Sequence, residues 1–170
     1  NSLNKIYCYV SDSWMGILSE GAGGSPTTQQ QDVAVGRFPV STPEEAKIMV
    51  DKTINYMENA NAGSWQNTLV FMADDGNDNL HMKDADEVAN YIADKYPDFQ
   101  IKKVMWDAYQ RTTSSVGNSY PEVTRIIKEQ QANGALIMDY AGHASAGQLS
   151  HEQVVKLMDF NNFKNTNLPL

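Results

Sequence analysis

Two kinds of segment alternate along the chain. Short apolar runs, as long as a buried strand, occupy residues 67–74 and 135–140. Segments with apolar residues three or four positions apart predict helices over 41–58, 84–96 and 121–133. Strands that alternate with helices in this way indicate an α/β fold with a mostly parallel sheet.

Less regular segments complete this pattern. Two further strands are predicted at 5–10 and 99–106, the second with partial burial, and residues 32–40 are predicted to form a short strand and a turn. Residues 151–158 are expected to form a last helix, capped by Ser150. Residues 11–31 form a polar connection, which is long enough to be either disordered or functional.

The predicted helices carry residues that favour their ends. Ser41 or Thr42 is the expected cap of the helix over 41–58, with Pro43 in its first turn. Gly134 follows the helix over 121–133, where a left-handed residue commonly ends a helix. Apolar residues recur at helical spacing along the first helix, at Ala46, Met49, Val50, Ile54 and Met57. The run at 135–140 is nearly all apolar, as expected of a strand covered on both faces.

Composition narrows the class of protein. With 170 residues, 41% hydrophobic and 20% charged, the chain has the profile of one globular domain. Its net charge of −8 argues against binding to nucleic acid, which usually needs a basic patch. No stretch approaches the roughly 20 apolar residues of a membrane span, and no signal peptide is visible. A monomer is the default expectation.

The ends of the chain and its cysteine content add two further expectations. The sequence begins without Met and ends on an apolar tail, so we expect a segment of a longer protein. Its single cysteine, Cys8, excludes an internal disulfide framework and leaves the redox compartment undecided.

Three polar loops follow predicted strands, at 11–31, 74–81 and 141–150. Ligands of parallel α/β sheets bind beyond the carboxyl ends of the strands, so these loops are expected to converge on a site. His143 lies in one of them, within a Gly-His-Ala-Ser step. It is either an ordinary surface histidine or a general base, and its spacing from other residues leaves both possibilities open.

A family resemblance bears on this choice. The segment "ALIMDYAGHAS" (135–145) resembles the histidine segment of the gingipain-type cysteine peptidases, family C25. The segments "VAVGRFPVSTPEEAKIMVDKTINYM" (33–57) and "FMADDGNDNLHMKDADEVA" (71–89) resemble other parts of the family in the same order. The resemblance covers about residues 5–170 and is strongest to the branch that includes the type IX secretion sortase.

The resemblance implies a caspase-like α/β sandwich, with a mostly parallel sheet and helices on both faces. It implies that His143 is the catalytic histidine and that Asp74 orients it, although gingipains use glutamate in this region. The family's nucleophilic cysteine would follow the next strand, beyond Leu170. Residues 1–170 are then a partial catalytic domain that lacks its nucleophile and is inactive alone, and Cys8 is a buried strand residue.

Other roles also follow from the resemblance. Backbone amides around Gly142 to Ala144, notably the peptide after Gly142, are expected to stabilise an oxyanion. Asp78 is expected to bind a basic substrate side chain. Trp14 and Asp12 are expected to shape one wall of the cleft, whereas Arg37 is expected to form a structural ion pair.

No cofactor is expected to be required, although calcium is a candidate at Asp74, Asp75 and Asp78. A zinc site is not expected, because no short His/Cys spacing supplies four ligands, and neither His81 nor His151 is given a role.

The predicted function is that of a secreted or surface-exposed cysteine endopeptidase acting on polypeptides, or of a sortase-like transpeptidase. One alternative is a non-catalytic caspase-like binding or scaffolding domain. The other is an unrelated α/β domain that binds a small ligand. The sequence argues against it, because no glycine-rich phosphate loop follows the first strand at the required spacing.

Overall fold

The computed structural model describes residues 12–24, 29–115 and 117–165. The predicted strand at 5–10 and Cys8 therefore lie outside the described residues. The chain divides into two units, residues 1–51 and 52–170.

Three helices and eight strands are described. The helices are α1 (Pro43–Met57), α2 (Gly76–Lys95) and α3 (Pro121–Asn133). The first five strands are β1 (Thr68–Ala73), β2 (Gln100–Met105), β3 (Thr112–Ser114), β4 (Gly117–Ser119) and β5 (Ile137–Ala141). Three short strands follow: β6 (Ala144–Ser145), β7 (Gln148–Leu149) and β8 (Val155–Lys156).

Hydrogen bonds and an ion pair made by side chains connect the loops of the first unit. Residues 32–40, all described, form no strand, so that prediction is wrong. The carboxylate of Asp32 instead accepts hydrogen bonds from the backbone amides of Leu18 and Ser19, at 2.7 and 3.0 Å. Arg37 pairs with Asp12 as expected, through Nε at 2.8 Å and a second nitrogen.

Helix α1, which continues from the first unit into the second, begins as its sequence predicts. Thr42 Oγ1 accepts a hydrogen bond from the Glu45 amide at 3.1 Å, and the Glu45 carboxylate accepts from the Thr42 amide at 3.3 Å. This reciprocal arrangement is a capping box. However, α1 is described in full and has no buried residue, so its apolar stripe is not buried. Helical spacing predicts an apolar stripe but does not supply a surface to cover it.

The parallel sheet of the second unit has the order β2–β1–β5, with β1 in the centre. Thr68 pairs with Gln100 on one side of β1, and Leu69 pairs with Ile137 on the other. Every residue of β1 is buried, as its continuous apolar run predicts. The predicted strands at 67–74 and 99–106 are confirmed.

Side chains of β1 alternate between two hydrophobic clusters. Val70 and Met72 pack in a cluster with Val123 and Ile127 of α3. Leu69 and Phe71 belong to a second cluster with Ala89 of α2. Burial of each large apolar side chain contributes about 1.5–3 kcal/mol. Helices thus cover both faces of a parallel sheet, which confirms the predicted α/β class and is compatible with a caspase-like fold.

Strand β5 is less buried than its sequence predicts. Ile137 is 52% exposed, and the strand pairs only with β1 among the described residues. The expectation of a strand covered on both faces is therefore wrong for β5. Helix α3 ends as predicted, because Gly134 adopts φ +79° directly after it.

Residues after β5 form a small antiparallel sheet, β6–β7–β8, instead of the predicted helix over 151–158. Ser150 and Gln153 have φ values of 56° and 54°, which are incompatible with a right-handed helix at this point. The chain then pairs as β8, and a 3₁₀ helix over Leu157–Asn162 follows.

None of the helices in the described part of the chain combines the length and the apolar character needed to span a membrane.

Candidate active site

The site lies where two neighbouring parallel strands end. Ala73 and Ala141 are register partners at the ends of β1 and β5, and the Asp74 amide donates to the Ala141 carbonyl at 3.3 Å. Asp74 is the first residue after β1, and His143 is the second after β5. The convergence of these two loops, predicted from the carboxyl-end rule, is confirmed.

Asp74 is buried, with 3% of its side chain exposed, and its carboxylate accepts hydrogen bonds from neighbouring groups. Its Oδ2 accepts from the His143 amide at 2.7 Å and from the Tyr140 hydroxyl at 3.1 Å, and its Oδ1 accepts from the Gly76 amide at 3.1 Å. Burial raises the pKa of Asp74, but these hydrogen bonds and the charge of His143 outweigh it and hold the pKa below its usual value. Asp74 is therefore a carboxylate at neutral pH.

His143 combines an anchored backbone with an accessible imidazole. Its side chain is 47% exposed, and its Nδ1 lies 3.4 Å from Asp74 Oδ2. A carboxylate at Nδ1 favours a proton on that nitrogen, which leaves the lone pair on Nε2. This is the tautomer that a general base requires.

Tyr140 is a residue of the site that sequence reasoning missed. Its hydroxyl lies 2.8 Å from the His143 carbonyl in addition to its contact with Asp74, and its ring stacks on buried Trp106 with centroids 5.8 Å apart. Burial, followed by the Asp74 charge, raises the pKa of Tyr140, so the hydroxyl remains a donor. Only the position of Tyr140 near a strand end could have indicated this role.

Two glycines provide the space in which Asp74 and His143 meet. A Cβ on Gly76 would lie 2.6 Å from His143 Nδ1, closer than side-chain atoms approach. A Cβ on Gly142 would lie 2.6 Å from Asp74 Oδ2 and 2.5 Å from the Tyr140 hydroxyl. Both positions therefore exclude every larger residue in this arrangement.

His81 also belongs to this site, although its sequence position gave no sign of it. Its Nε2 lies 4.0 Å from Asp74 Oδ1, and its ring meets that of His143 edge to face, with centroids 5.0 Å apart. Ligand atoms of His81, Asp74 and His143 lie within 4.8 Å of one another. Residues distant in sequence can thus form a cluster that short spacing does not reveal.

The expected calcium ligands are only partly brought together. Asp75 accepts a hydrogen bond from the Tyr120 hydroxyl at 2.9 Å, and Asp78 is exposed with φ 54°. Asp74 clusters with the two histidines instead. Calcium binding stays a prediction, and no step proposed below depends on it.

The predicted oxyanion donors lie in the loop after β5. The amide after Gly142 is that of His143, and in this structure it donates to Asp74. Ala144 belongs to β6. Oxyanion roles for Gly142 and Ala144 stay predictions.

Trp14 is 43% exposed in a 3₁₀ helix over Asp12–Gly16 of the first unit, and its role in substrate binding also stays a prediction.

A small open cleft beside His143 completes the site. It is lined by Asp74, Asp75, Gly76, His143, His151 and Glu152. A buried carboxylate beside a half-exposed imidazole at adjacent strand ends is chemically able to support acid–base chemistry. The family model described as peptidase family C25 matches residues 4–170. The chain therefore belongs to peptidase family C25, and the predicted family is confirmed.

Comparison with curated proteins gave no match, and comparison with solved structures gave none either.

Proposed function

We propose that this chain carries the acid–base part of a cysteine peptidase site, with His143 as general base and Asp74 as its positioning residue. The observation that carries the proposal is the pairing of His143 with buried Asp74 at the ends of β5 and β1. Membership in peptidase family C25 supports thiol chemistry on peptide bonds.

The nucleophile in this proposal is a cysteine that follows Leu170 in the full-length protein. Cys8 is the single cysteine of the 170 residues, and the family resemblance gives no role to a thiol on the first strand. The 170 residues alone are therefore expected not to cleave peptides.

The reaction uses His143 first as a base and then as an acid. Nε2 takes the thiol proton, and the thiolate forms a bond to the peptide carbonyl carbon. The bond from that carbon to nitrogen then breaks, and Nε2 returns its proton to the leaving amine. Water hydrolyses the resulting thioester, or an amine replaces water if the protein is a sortase-like transpeptidase.

Charge in the cleft supports a cationic group on the substrate. Asp75 and Glu152 line the cleft beside His143, and the chain as a whole carries a net charge of −8. Asp78 remains a second proposed contact for a basic side chain, although it is not among the residues that line this cleft. A carboxylate in such a position would form a charge-assisted hydrogen bond with Arg or Lys.

Other parts of the proposal rest on the family resemblance. Polypeptides are the expected substrates, and the expected location is extracellular or at the cell surface. A monomer is the default expectation and does not come from the resemblance. The rival function is that of a non-catalytic binding or scaffolding domain with the same fold.

A thiol-alkylating peptide probe tests the proposal on the full-length protein. The measurement is the rate at which a cysteine beyond Leu170 is labelled, identified by peptide mapping. His143→Ala is expected to slow labelling at least about 100-fold, the lower end of general-base effects. His151→Ala is the matched control, because His151 is exposed and lines the same cleft.

Equal labelling of the wild type and His143→Ala, or the lack of a reactive cysteine, would contradict the proposal and favour the binding domain.

A further inference from the structure

The cluster of Asp74, His81 and His143 has the composition of a transition-metal site. Two imidazoles and one carboxylate place their ligand atoms within 4.8 Å of one another. Imidazole nitrogen suits zinc and related metals, whereas calcium prefers oxygen ligands alone. Asp74 and His81 are largely buried, with 3% and 22% of their side chains exposed.

The backbone of α2 presents His81 to this cluster. Asn77, Asp78 and Asn79 have φ values of 54°, 54° and 64°, so the chain makes a left-handed turn before the regular helix. The Asn77 side-chain amide lies 3.2 Å from His81 Nε2, and which of the two groups donates depends on the tautomer of His81. With its proton on Nδ1, neutral His81 presents a lone pair on Nε2.

His81 Nε2 also faces a carboxylate. It lies 4.0 Å from Asp74 Oδ1, which is beyond hydrogen-bond distance. A divalent cation placed between a neutral imidazole nitrogen and a carboxylate oxygen would bind both groups at once.

We propose that the Asp74–His81–His143 cluster binds a divalent transition metal of the Zn²⁺ type, and that this metal switches the site off. The binding does not depend on the function proposed above, whereas the inhibition rests on it.

The distances are close to those of a three-ligand zinc site. Zinc binds nitrogen and oxygen ligands at about 2.0–2.1 Å, so tetrahedral ligand atoms lie about 3.4 Å apart. His143 Nδ1 is 3.4 Å from Asp74 Oδ2, and His81 Nε2 is 4.0 Å from Asp74 Oδ1. These two distances end on different oxygens of Asp74. When each residue offers a single ligand atom, the three atoms lie within 4.8 Å of one another, so side-chain rotation must shorten separations by up to about 1.4 Å to form the zinc geometry. A fourth position remains for water or for a thiolate, which zinc binds strongly.

Metal binding and base catalysis require different tautomers of His143. As a base, the imidazole keeps its proton on Nδ1, beside Asp74, and its lone pair on Nε2. When Nδ1 binds a metal, the proton of the neutral ring lies on Nε2. Nε2 then has no lone pair with which to take a thiol proton, so the metal-bound site cannot perform the first step.

The binding is tested by titrating the full-length protein with ZnCl₂ against a chromophoric chelator. His81→Ala and His143→Ala are each expected to weaken one zinc site at least about 100-fold, since even residues behind the ligands contribute 10- to 100-fold. His151→Ala is expected to bind zinc like the wild type, because His151 lines the cleft but is not in the cluster.

His81→Gln provides a second variant that keeps a polar partner for Asn77 if the alanine variant fails to fold. Saturable zinc binding that is unchanged in both His81 variants, or no saturable binding by the wild type, would overturn the proposal.

The inhibition is tested by the ratio of thiol-labelling rates with and without zinc. For the wild type, zinc is expected to slow labelling at least about tenfold, so the ratio is about 0.1 or less, and a chelator is expected to restore the rate. For His81→Gln the ratio is expected to stay near one. An equal fall in His81→Gln would show that zinc acts elsewhere, on the thiol alone, and would overturn the inhibition. If labelling does not depend on His143 but zinc binding depends on His81, the proposed function fails and the metal site stands.

Discussion

Two successive aspartates at the end of β1 each accept a hydrogen bond from a tyrosine, yet the surroundings of the two pairs differ. The Tyr140 hydroxyl donates to Asp74 at 3.1 Å, and the Tyr120 hydroxyl donates to Asp75 at 2.9 Å. Burial, with the partner carboxylate, raises the pKa of each tyrosine. Each pair therefore consists of a phenol that donates and a carboxylate that accepts.

What differs is the number of other groups on each carboxylate. Asp74 also accepts from two backbone amides and lies beside two histidines. Tyr120, in contrast, is 2% exposed in the hydrophobic cluster at the start of α3, so its pair ties that helix to the end of β1. The same pair of residue types thus builds a site on one side and supports the fold on the other.

The largest expected effect that separates the pairs is on the reactivity of the site. Asp74→Asn removes the charge that keeps the His143 proton on Nδ1, and we expect thiol labelling of the full-length protein to slow at least about 100-fold. With a peptide probe that carries no basic side chain, Asp75→Asn keeps the Asp74–His143 contacts and is expected to change the rate less than about tenfold. The measurement is the labelling rate at a temperature where both variants are folded by circular dichroism. Similar labelling rates for the two variants would contradict the proposal that only the Asp74 pair belongs to the reactive site.

A smaller effect is expected from crowding on the Asp74 side. A Cβ at Gly76 would lie 2.6 Å from His143 Nδ1, so Gly76→Ala should displace the imidazole and slow labelling about 10- to 100-fold. Gly147→Ala is the control in the neighbouring loop, because a Cβ there meets no atom within 4 Å. Unimpaired labelling in Gly76→Ala would show that the imidazole does not need its present position.

The main features of both the fold and the site could be predicted where local pattern and topology agree. The apolar run of β1 is continuous because both its faces are covered, and the capping box at Thr42 and Glu45 is a local signal. The loops that carry Asp74 and His143 could be expected to meet because parallel strands bring their carboxyl ends to one edge, whereas the pairing of these two residues came from the family resemblance.

Contacts made by side chains from distant segments could not be predicted in this way. His81 reaches Asp74 only through the left-handed turn over 77–79, which no periodic pattern encodes. The segment 151–158 has helix-like spacing, but left-handed residues at Ser150 and Gln153 and pairing with β7 override it. Exposure of the apolar stripe of α1 likewise depends on tertiary structure.

Removal of each tyrosine hydroxyl is expected to have a smaller effect, and it compares the two pairs in both stability and labelling rate. Tyr140→Phe and Tyr120→Phe each leave a carboxylate without one donor, and each is expected to lower the free energy of unfolding by about 1–2 kcal/mol. Only Tyr140→Phe should also slow thiol labelling, by less than about tenfold, because Tyr140 contacts both Asp74 and the His143 carbonyl. Denaturant unfolding and labelling of the same preparations measure both effects. Slower labelling in Tyr120→Phe alone would reverse the assignment of the two pairs.

The smallest effect is expected at a carboxylate away from both pairs, which serves as their reference. Asp159 accepts a hydrogen bond from Lys128 at 2.7 Å and from the Lys156 amide at 2.8 Å, and the Lys128 contact is the main cause that lowers its pKa. A folded-state pKa below the unfolded value of about 3.9 stabilises the protein above that pH, and this contribution is lost as the pH falls through the folded-state pKa. Asp159→Asn should therefore lower the free energy of unfolding by about 1 kcal/mol or less at pH 7, and the difference from the wild type should shrink toward acid pH. Denaturant unfolding of both proteins at several pH values measures this difference in the free energy of unfolding. A difference that grows as the pH falls would contradict the assignment of Asp159 to a stabilising ion pair with no part in the site.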